Sequence, residues 1–290
     1  MTDTDIAILG LGPMGRALAA AALAAGRSTV VWNRTPQRAA PLVEQGAVLA
    51  PSAGDAVAGA RVTVACLLDY SAVRACVAPV RDRFGGTLVN LSSGPAAQAR
   101  AMADWAGQHG IDYLDGAILT PAPTIGTPAA TVLYSGARRS YERNRRTLEA
   151  FGGTGVHLGE DAGVAAAYEM ALLDVFAMSV GGLAHAFALA MAEGIEPAAF
   201  ARFARGIGAM LPGMADRFAD QLTEGRFPAD ISSIASAGSA MAHVADAATA
   251  RGIDAAPLRA VQRIVDRAVA AGHGGDSYAR LAQFLGEPAA

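Results

Sequence analysis

The sequence places two carboxylates inside a strongly apolar segment. Glu169 and Asp174 lie in YEMALLDVF, which covers residues 168–176. Burial at an apolar site disfavours the charged form of a carboxyl group, raises its pKa and lets it carry a proton near neutral pH. The two acids are five residues apart, which is about 140° around a helix at roughly 100° per residue. They therefore lie on different faces of a helix, which disfavours a mechanism that pairs these two carboxylates.

A glycine-rich turn is the second chemical feature. Gly10, Gly12 and Gly15 form G-x-G-x-x-G in ILGLGPMGRALAAA, directly after a predicted strand and at the start of a predicted helix. In a dinucleotide-binding turn the first glycine permits the bend, the second admits a pyrophosphate and the third packs helix against strand. The helix N-terminus, which begins with Pro13 and Met14, offers amide donors to phosphate. The motif predicts a dinucleotide cofactor.

The residues after the second predicted strand indicate which dinucleotide to expect. NAD enzymes place an acid there for the ribose 2′-hydroxyl. Here the sequence reads NRTPQR, with Asn33, Arg34, Thr35 and Arg38. Because two guanidiniums and a hydroxyl can bind a 2′-phosphate through charge-assisted hydrogen bonds, we expect NADPH rather than NADH. The alternative interpretation of the two arginines is a solvated loop and helix face.

The elements that position these residues change in type along the chain. The predicted strands, which alternate with Ala-rich helical stretches as far as about residue 159, are IAILGLG, STVVWN, VTVACLLD, GTLVNLSS, DYLDGAIL and TVLYSG. This alternation predicts an α/β fold with a mainly parallel sheet and helices on both faces. From about residue 161 only helices are predicted, with breaks at LPG, GRFP, RGID and AGHGG.

A long helix over residues 162–193 is predicted to join the two parts, since no Gly/Ser-rich or Pro-rich linker separates them. It is apolar nearly all round and must be covered on every side, so we expect a second subunit to wrap it. Residues 175–192 carry no formal charge, which reaches the lower limit of a membrane span. We favour a buried helix, because the segment is Ala-rich and contains Ser179, Gly181, Gly182 and His185.

The composition narrows the class of protein. A chain of 290 residues with 52% hydrophobic residues indicates one large or two medium globular domains. Its net charge of −3 does not suggest a surface that binds nucleic acid or a membrane by electrostatic attraction. Cys66 and Cys76 have no spacing typical of a disulfide framework or a metal site. The N-terminal residues lack the features of a secretory signal, so we expect a reducing cytoplasm. All 23 basic residues are arginine, which excludes a catalytic lysine.

Taken together, several motifs resemble the NADPH-dependent imine reductases and reductive aminases of the β-hydroxyacid dehydrogenase superfamily: LGLGPMG, VWNRT, CLLDY, LVNLSSG, DYLDGAI, IGTPAATVLYSG, GLAHAFAL and DRAVAAGHGG. The likeness covers essentially the whole chain in order. It implies an NADP-binding Rossmann domain over residues 1–161, and an interdomain helix with a helical dimerisation and substrate domain over residues 162–290. It also implies a domain-swapped homodimer, with the active site between one subunit's Rossmann domain and its partner's helices.

The reaction that this resemblance implies is hydride transfer from NADPH to a cyclic imine, with reductive amination left open. The nitrogen needs a proton, and an iminium is the more electrophilic acceptor. In the family the position of Glu169 usually holds Asp or Tyr, sometimes Asn, as proton donor or iminium-orienting group. Glu169 is thus the candidate catalytic residue, either as an acid or as an anion. The alternative is an acid that faces water or pairs with an arginine of the partner.

The resemblance also suggests a substrate pocket. Many family members carry an aromatic residue eight positions after the acid, where this chain has Ala177, so we expect a roomier pocket and no tyrosine donor. Met210 and Met241 are candidate pocket walls, since thioethers fill gaps adaptably. His243 is a candidate substrate contact, and Asp174 lines the pocket or serves a partner interaction. His185 is interpreted as a buried histidine.

Two strand ends provide further candidate cofactor contacts. Asn90, Ser92 and Ser93 in LVNLSSG are expected near the nicotinamide ribose, and Leu68 and Asp69 in CLLDY near the adenosine side. The alternative for each of these residues is ordinary hydrogen bonding at the end of a strand.

Two other functions stay open at this point. The β-hydroxyacid dehydrogenases use a lysine early in the long helix, where this chain has GVAAAYEM, and a different substrate loop, where it has DGAILTPAPTIGTP. A lysine-free relative of these enzymes is one alternative. The other is a non-catalytic NADP-binding sensor, which Ala177 and the altered acid both motivate.

Overall fold

The computed structural model describes residues 4–286. The strands are β1 (Thr4–Leu9), β2 (Thr29–Trp32), β3 (Val48–Leu49), β4 (Ala60–Ala65), β5 (Thr87–Asn90), β6 (Tyr113–Ile118), β7 (Thr131–Gly136) and β8 (Thr154–His157). The α-helices are α1 (Pro13–Ala24), α2 (Ala40–Val43), α3 (Ala53–Val57), α4 (Tyr70–Val77), α5 (Ala96–Gln108), α6 (Arg138–Leu148), α7 (Gly163–Ala192), α8 (Pro197–Gly208), α9 (Leu211–Glu224), α10 (Ile234–Ala250), α11 (Ala256–Ala268) and α12 (Leu281–Leu285). The predicted change from alternating elements to helices alone is confirmed.

The strands form one sheet in the order β3-β2-β1-β4-β5-β6-β7-β8. Every neighbouring pair is parallel except β6 and β7. The strand order reverses between β1 and β4, which is where open sheets of this kind bind ligands at their carboxyl ends. Strands β3 and β8 are not in the predicted set, because β3 has two residues and β8 begins with a threonine and a glycine.

Strand β1 is buried on both faces. Ile6 and Ile8 belong to one hydrophobic cluster, whereas Ala7 and Leu9 belong to the other. Successive side chains of a strand point to opposite faces, so the two clusters lie on opposite sides of the sheet. This explains why the strand reads as a continuous apolar run in the sequence.

The chain forms two compact units, which part between Phe176 and Ala177, inside α7. In the C-terminal unit α8 ends at Gly208 and α9 begins at Leu211, so the predicted break at residues 211–213 is wrong by a few positions. Pro212 lies in the first turn of α9, where the helix does not need the backbone N–H that proline lacks.

Helix α7 is exposed over much of its length. All residues from 171 to 184 are exposed in the single chain, and burial of the helix by a second subunit stays a prediction. The exposed side chains include Leu172, Val175, Phe176 and Leu183. Among residues 4–286, α7 is the one helix that is long and apolar enough to cross a membrane by length and composition. Its apolar surface needs a cover that residues 4–286 do not provide.

Candidate active site

The glycine turn between β1 and α1 is built by close backbone packing. Gly10 has φ +100°, and a Cβ there would lie 2.3 Å from the carbonyl oxygen of Cys66. A Cβ on Gly15 would lie 2.0 Å from the carbonyl oxygen of Gly10. A Cβ on Gly12 would meet nothing within 4 Å, and no side chain caps α1 at this residue. The first N–H groups of α1, which begin at Met14 because Pro13 has none, thus adjoin open space that suits an anion.

Asn33 connects the ends of β1 and β2. Its Oδ1 accepts a hydrogen bond from the Leu11 N–H at 3.0 Å, and its Nδ2 donates to the Thr35 carbonyl at 2.9 Å. Arg34, Thr35 and Arg38 are exposed beyond it. Within residues 4–286 neither arginine side chain forms an ion pair or hydrogen bond. Asn33 therefore shapes the loop, and both guanidiniums are available to a phosphate.

The candidate contacts after β4 and β5 have different surroundings. Leu68 is 86% exposed, whereas Asp69 caps α4 by accepting from the Ala72 N–H at 2.7 Å. Asn90 and Ser92 are buried, and the Ser92 N–H donates to Asn90 Oδ1 at 3.1 Å. The polar groups of Asp69, Asn90 and Ser92 thus form bonds that fix the ends of the strands.

Helix α7 is attached at its first turn to the N-terminal unit. Asp161 Oδ1 accepts from the Gly163 N–H at 2.9 Å, and Ser135 Oγ donates to the Ala162 carbonyl at 2.8 Å. Arg100 donates to both carboxylate oxygens of Asp161. The bonds from Arg100 and Gly163 lower the pKa of Asp161 to about 2. These contacts fix the helix six residues before Glu169.

Glu169 lies against the loop that follows β5. It is 8% exposed, and its Oε1 accepts a hydrogen bond from Ser93 Oγ at 2.6 Å. Burial raises the pKa of Glu169, while the hydroxyl of Ser93 and the backbone N–H of Gly94 counteract this rise by stabilising the anion. Folding thus brings together Glu169 and Ser93, two of the residues predicted from the sequence.

The structure adds a second buried carboxyl group, Asp115 in β6, which is not among the residues predicted from the sequence. Asp115 is fully buried, and its Oδ1 accepts from the hydroxyls of Tyr70 at 2.9 Å and Tyr113 at 2.7 Å. Asn90 Nδ2 lies 3.4 Å from the same oxygen. Burial above all, together with the charge of Glu169, raises the pKa of Asp115 to about 7. The sequence feature that could have identified Asp115 is an acid inside the apolar strand pattern DYLDGAI.

The predicted pocket residues do not form one group. In the C-terminal unit Ala177 lines an apolar groove of about 760 Å³, together with His185. Met241 packs against a hydrophobic cluster, and Met210 and His243 are exposed outside the lining of that groove. Asp174 is also exposed and, as its helical angle predicts, does not share the buried face of Glu169.

Comparisons with known proteins cover nearly the whole chain. Residues 5–159 match the model for the NAD binding domain of 6-phosphogluconate dehydrogenase, and residues 161–287 match the model for an NADPH-dependent reductive aminase-like C-terminal domain. An NADPH-dependent reductive aminase of Aspergillus oryzae is 31% identical over 97% of this chain and 96% of its own.

Solved structures give a similar result. An imine reductase from Myxococcus stipitatus in complex with NADP+ is 35% identical, with a TM-score of 0.93 over 97% of this chain and 99% of its own. A reductive aminase from Aspergillus terreus in complex with NADPH4, cyclohexanone and allyl amine is 34% identical, with a TM-score of 0.91 over 98% of this chain and 100% of its own.

Proposed function

Since the chain belongs to the family of NADPH-dependent reductive aminases and imine reductases, we propose that it reduces cyclic imines to amines with NADPH. The observation that carries the proposal is Glu169, a buried carboxylate held by Ser93 and Gly94 after β5. The bonds from these two donors favour the anion. An anion beside the substrate nitrogen stabilises an iminium cation, which accepts a hydride more readily than a neutral imine.

We assign the binding of NADPH to the carboxyl ends of β1 and β2. The open N-terminus of α1 at Gly12 suits the pyrophosphate. Arg34 and Arg38, with the hydroxyl of Thr35, suit the 2′-phosphate, because neither guanidinium has another anionic partner within residues 4–286. When bound, NADPH supplies the hydride. The protein's own contribution is to orient the acceptor carbon and to stabilise the positive nitrogen.

The experiment that tests this function is NADPH consumption with 1-pyrroline-type and dihydroisoquinoline-type imines. Glu169→Gln should lower kcat/KM by roughly 10²- to 10⁴-fold, as expected for loss of a catalytic ionisable group. Glu142→Gln removes an exposed carboxylate from α6 and should leave kcat/KM unchanged. Absence of turnover by the wild type on a broad imine panel would contradict the proposal. Full activity of the Glu169 variant would contradict only the role of that residue.

The same assay separates the other functions. NADPH consumption with a ketone and an amine in place of an imine would extend the proposal to reductive amination. Oxidation of a 3-hydroxy acid with NADP+ would instead indicate a lysine-free β-hydroxyacid dehydrogenase. Binding of NADPH without turnover of any of these substrates would indicate a sensor.

We also propose that the protein is a homodimer in which a second copy covers the exposed face of α7. The support is the run of large apolar side chains on this helix, such as Phe176 and Leu183, and the adjoining apolar groove that Ala177 lines. Contiguous apolar surface of this kind marks an interaction site. The molecular mass by light scattering in detergent-free buffer tests this: a dimer supports the proposal, and a protein that dissolves only with detergent or lipid would indicate a membrane instead.

A further inference from the structure

Asp115 is buried, and within residues 4–286 no cationic side chain pairs with it. Polar groups near it come from five elements: Tyr70 from α4, Asn90 from β5, Tyr113 from β6, Ser135 from β7 and Glu169 from α7. The only ionisable acid among them with an ordinary pKa below 7 is Glu169. Two carboxyl groups in one apolar region do not ionise together easily, because each charge opposes the other and the described part of the chain offers neither a compensating cation.

The geometry distinguishes the two acids. Glu169 keeps a little solvent contact and accepts from the Gly94 N–H, which can only donate and therefore favours the Glu169 anion, as well as from the Ser93 hydroxyl. Asp115 is fully buried, and its Oδ2 lies 2.9 Å from the Tyr70 hydroxyl. That contact suits either protonation state, since a phenol oxygen can accept a hydrogen bond from a neutral carboxyl as well as donate one to a carboxylate.

We propose that Asp115 is the proton-holding partner of Glu169: it stays neutral while Glu169 is ionised, and thereby keeps Glu169 available as the anion that faces the substrate. Its Oδ2–H donates to the oxygen of Tyr70, while Oδ1 continues to accept from Tyr113. Asp115 is a positioning residue, because it acts on the reaction only through Glu169. The inference rests on the proposed function only for the identity of the substrate cation.

The raised pKa of Asp115 agrees with this assignment. Burial and the charge of Glu169 raise it from an ordinary value of 3.8 to about 7. Burial also raises the pKa of Tyr70, so that the phenol keeps its own proton throughout this range.

The test uses carboxyl-carbon NMR of the substrate-free protein labelled in Asp and Glu, with the two resonances assigned by their loss in Asp115→Asn and Glu169→Gln. We expect Glu169 to be ionised and Asp115 protonated at pH 6. In Asp115→Asn the titration midpoint of Glu169 should not move, because a neutral group replaces a neutral group. A midpoint of Glu169 that falls by about one unit or more in this variant would overturn the proposal, because it would reveal a charge on Asp115 in the wild type.

Unfolding by urea gives a second measurement. A carboxyl whose pKa is raised on folding stabilises the native state fully below its unfolded pKa, and this contribution is lost as the pH rises through the folded value. The folding constant of the wild type relative to Asp115→Asn should therefore fall roughly a thousandfold between pH 4 and pH 8. Parallel curves would overturn the proposal.

Two further variants keep the proposal testable if Asp115→Asn does not fold. Tyr113→Phe removes a donor that stabilises the Asp115 anion and should move the midpoint of Asp115 upward, whereas Tyr70→Phe also removes the acceptor of the Asp115 proton and should raise the midpoint less. A midpoint that stays in place in both variants would overturn the assignment. Because these measurements need no imine, they remain valid if the proposed reaction is not observed. With an active enzyme, the ionisation near pH 7 should disappear from the kcat/KM profile of Asp115→Asn.

Discussion

The side chain of Glu169 accepts a hydrogen bond from the shorter side chain of Ser93. Glutamate is one methylene longer than aspartate, which is one of the residues that the family usually has at this position, and its Oε1 accepts from the hydroxyl of Ser93 at 2.6 Å. The extra methylene thus lets an acid on α7 contact a small side chain on the loop after β5. The pair gives a physical reason for the departure from the expected residue.

Removal of the Ser93 hydroxyl should change the protonation of Glu169. A hydrogen bond to a charged group contributes about 1.5–3 kcal/mol, so Ser93→Ala should raise the pKa of Glu169 by roughly one to two units. The limb of the kcat/KM profile that reports this ionisation should move to higher pH by the same amount. Ser93→Thr keeps the hydroxyl and is the control. Identical profiles for the two variants would mean that the contact does not matter to the reaction.

A second prediction for single residues concerns the arginines after β2, which are expected to bind the 2′-phosphate of NADPH. Arg34→Ala should raise the KM for NADPH roughly ten- to hundredfold, because a charge-assisted bond to the 2′-phosphate is lost. The KM for NADH should change little. Arg139→Ala removes the same charge from an exposed position of α6 and serves as the control. An equal effect of Arg34→Ala on both cofactors would contradict the phosphate contact.

Among the secondary-structure elements, the turn from β1 to α1 contains one glycine that packing requires, Gly15, and one that it does not, Gly12. Gly15 needs to be glycine for packing, because its Cβ would collide with the carbonyl of Gly10. Gly12 has φ −64° and open space around it, so its small size has no role in packing. The absence of a side chain at Gly12 is useful only if another molecule approaches the backbone there.

Two alanine variants test this distinction. Gly12→Ala should fold with a free energy within about 0.5 kcal/mol of the wild type, yet weaken NADPH binding at least tenfold by blocking the pyrophosphate. Gly15→Ala should lower the free energy of unfolding by about 1–3 kcal/mol, because α1 must move away from β1. Urea unfolding and NADPH titration by fluorescence measure the two effects. Unchanged NADPH binding by Gly12→Ala would place the pyrophosphate elsewhere.

At the scale of the whole molecule, the exposed apolar face of α7 decides how the protein assembles. Phe176→Glu should convert the proposed dimer to a monomer, or weaken it at least a hundredfold, because a charge would be buried in an apolar contact. Phe176 is 65% exposed in the single chain, and Val48 in β3 is 62% exposed. Val48→Glu is therefore a matched control that should leave the dimer intact. Light scattering over a dilution series measures both, and loss of the dimer in both variants would contradict the assigned interface.

Local features of the fold could be predicted from the sequence alone. The apolar runs of β1, β4 and β5, the G-x-G-x-x-G turn and the start and end of α7 follow from short-range patterns, which depend on neighbouring residues alone. The NADP preference belongs to the same group, because the arginines directly follow β2. The short edge strands β3 and β8 were not predicted, because two to four residues without an apolar alternation give little evidence for a strand.

Which acids lie near one another depends on the tertiary fold. Sequence spacing separates Glu169 from Asp174, but it cannot indicate that Ser93, 76 residues earlier, bonds to Glu169. Nor can it indicate that Asp115 lies close enough for the charge of Glu169 to raise its pKa. Parallel strands bring distant chain segments to one edge of a sheet, and such contacts depend on strand order rather than on local pattern. For the same reason the question of whether α7 is buried required the fold, which leaves its apolar surface exposed.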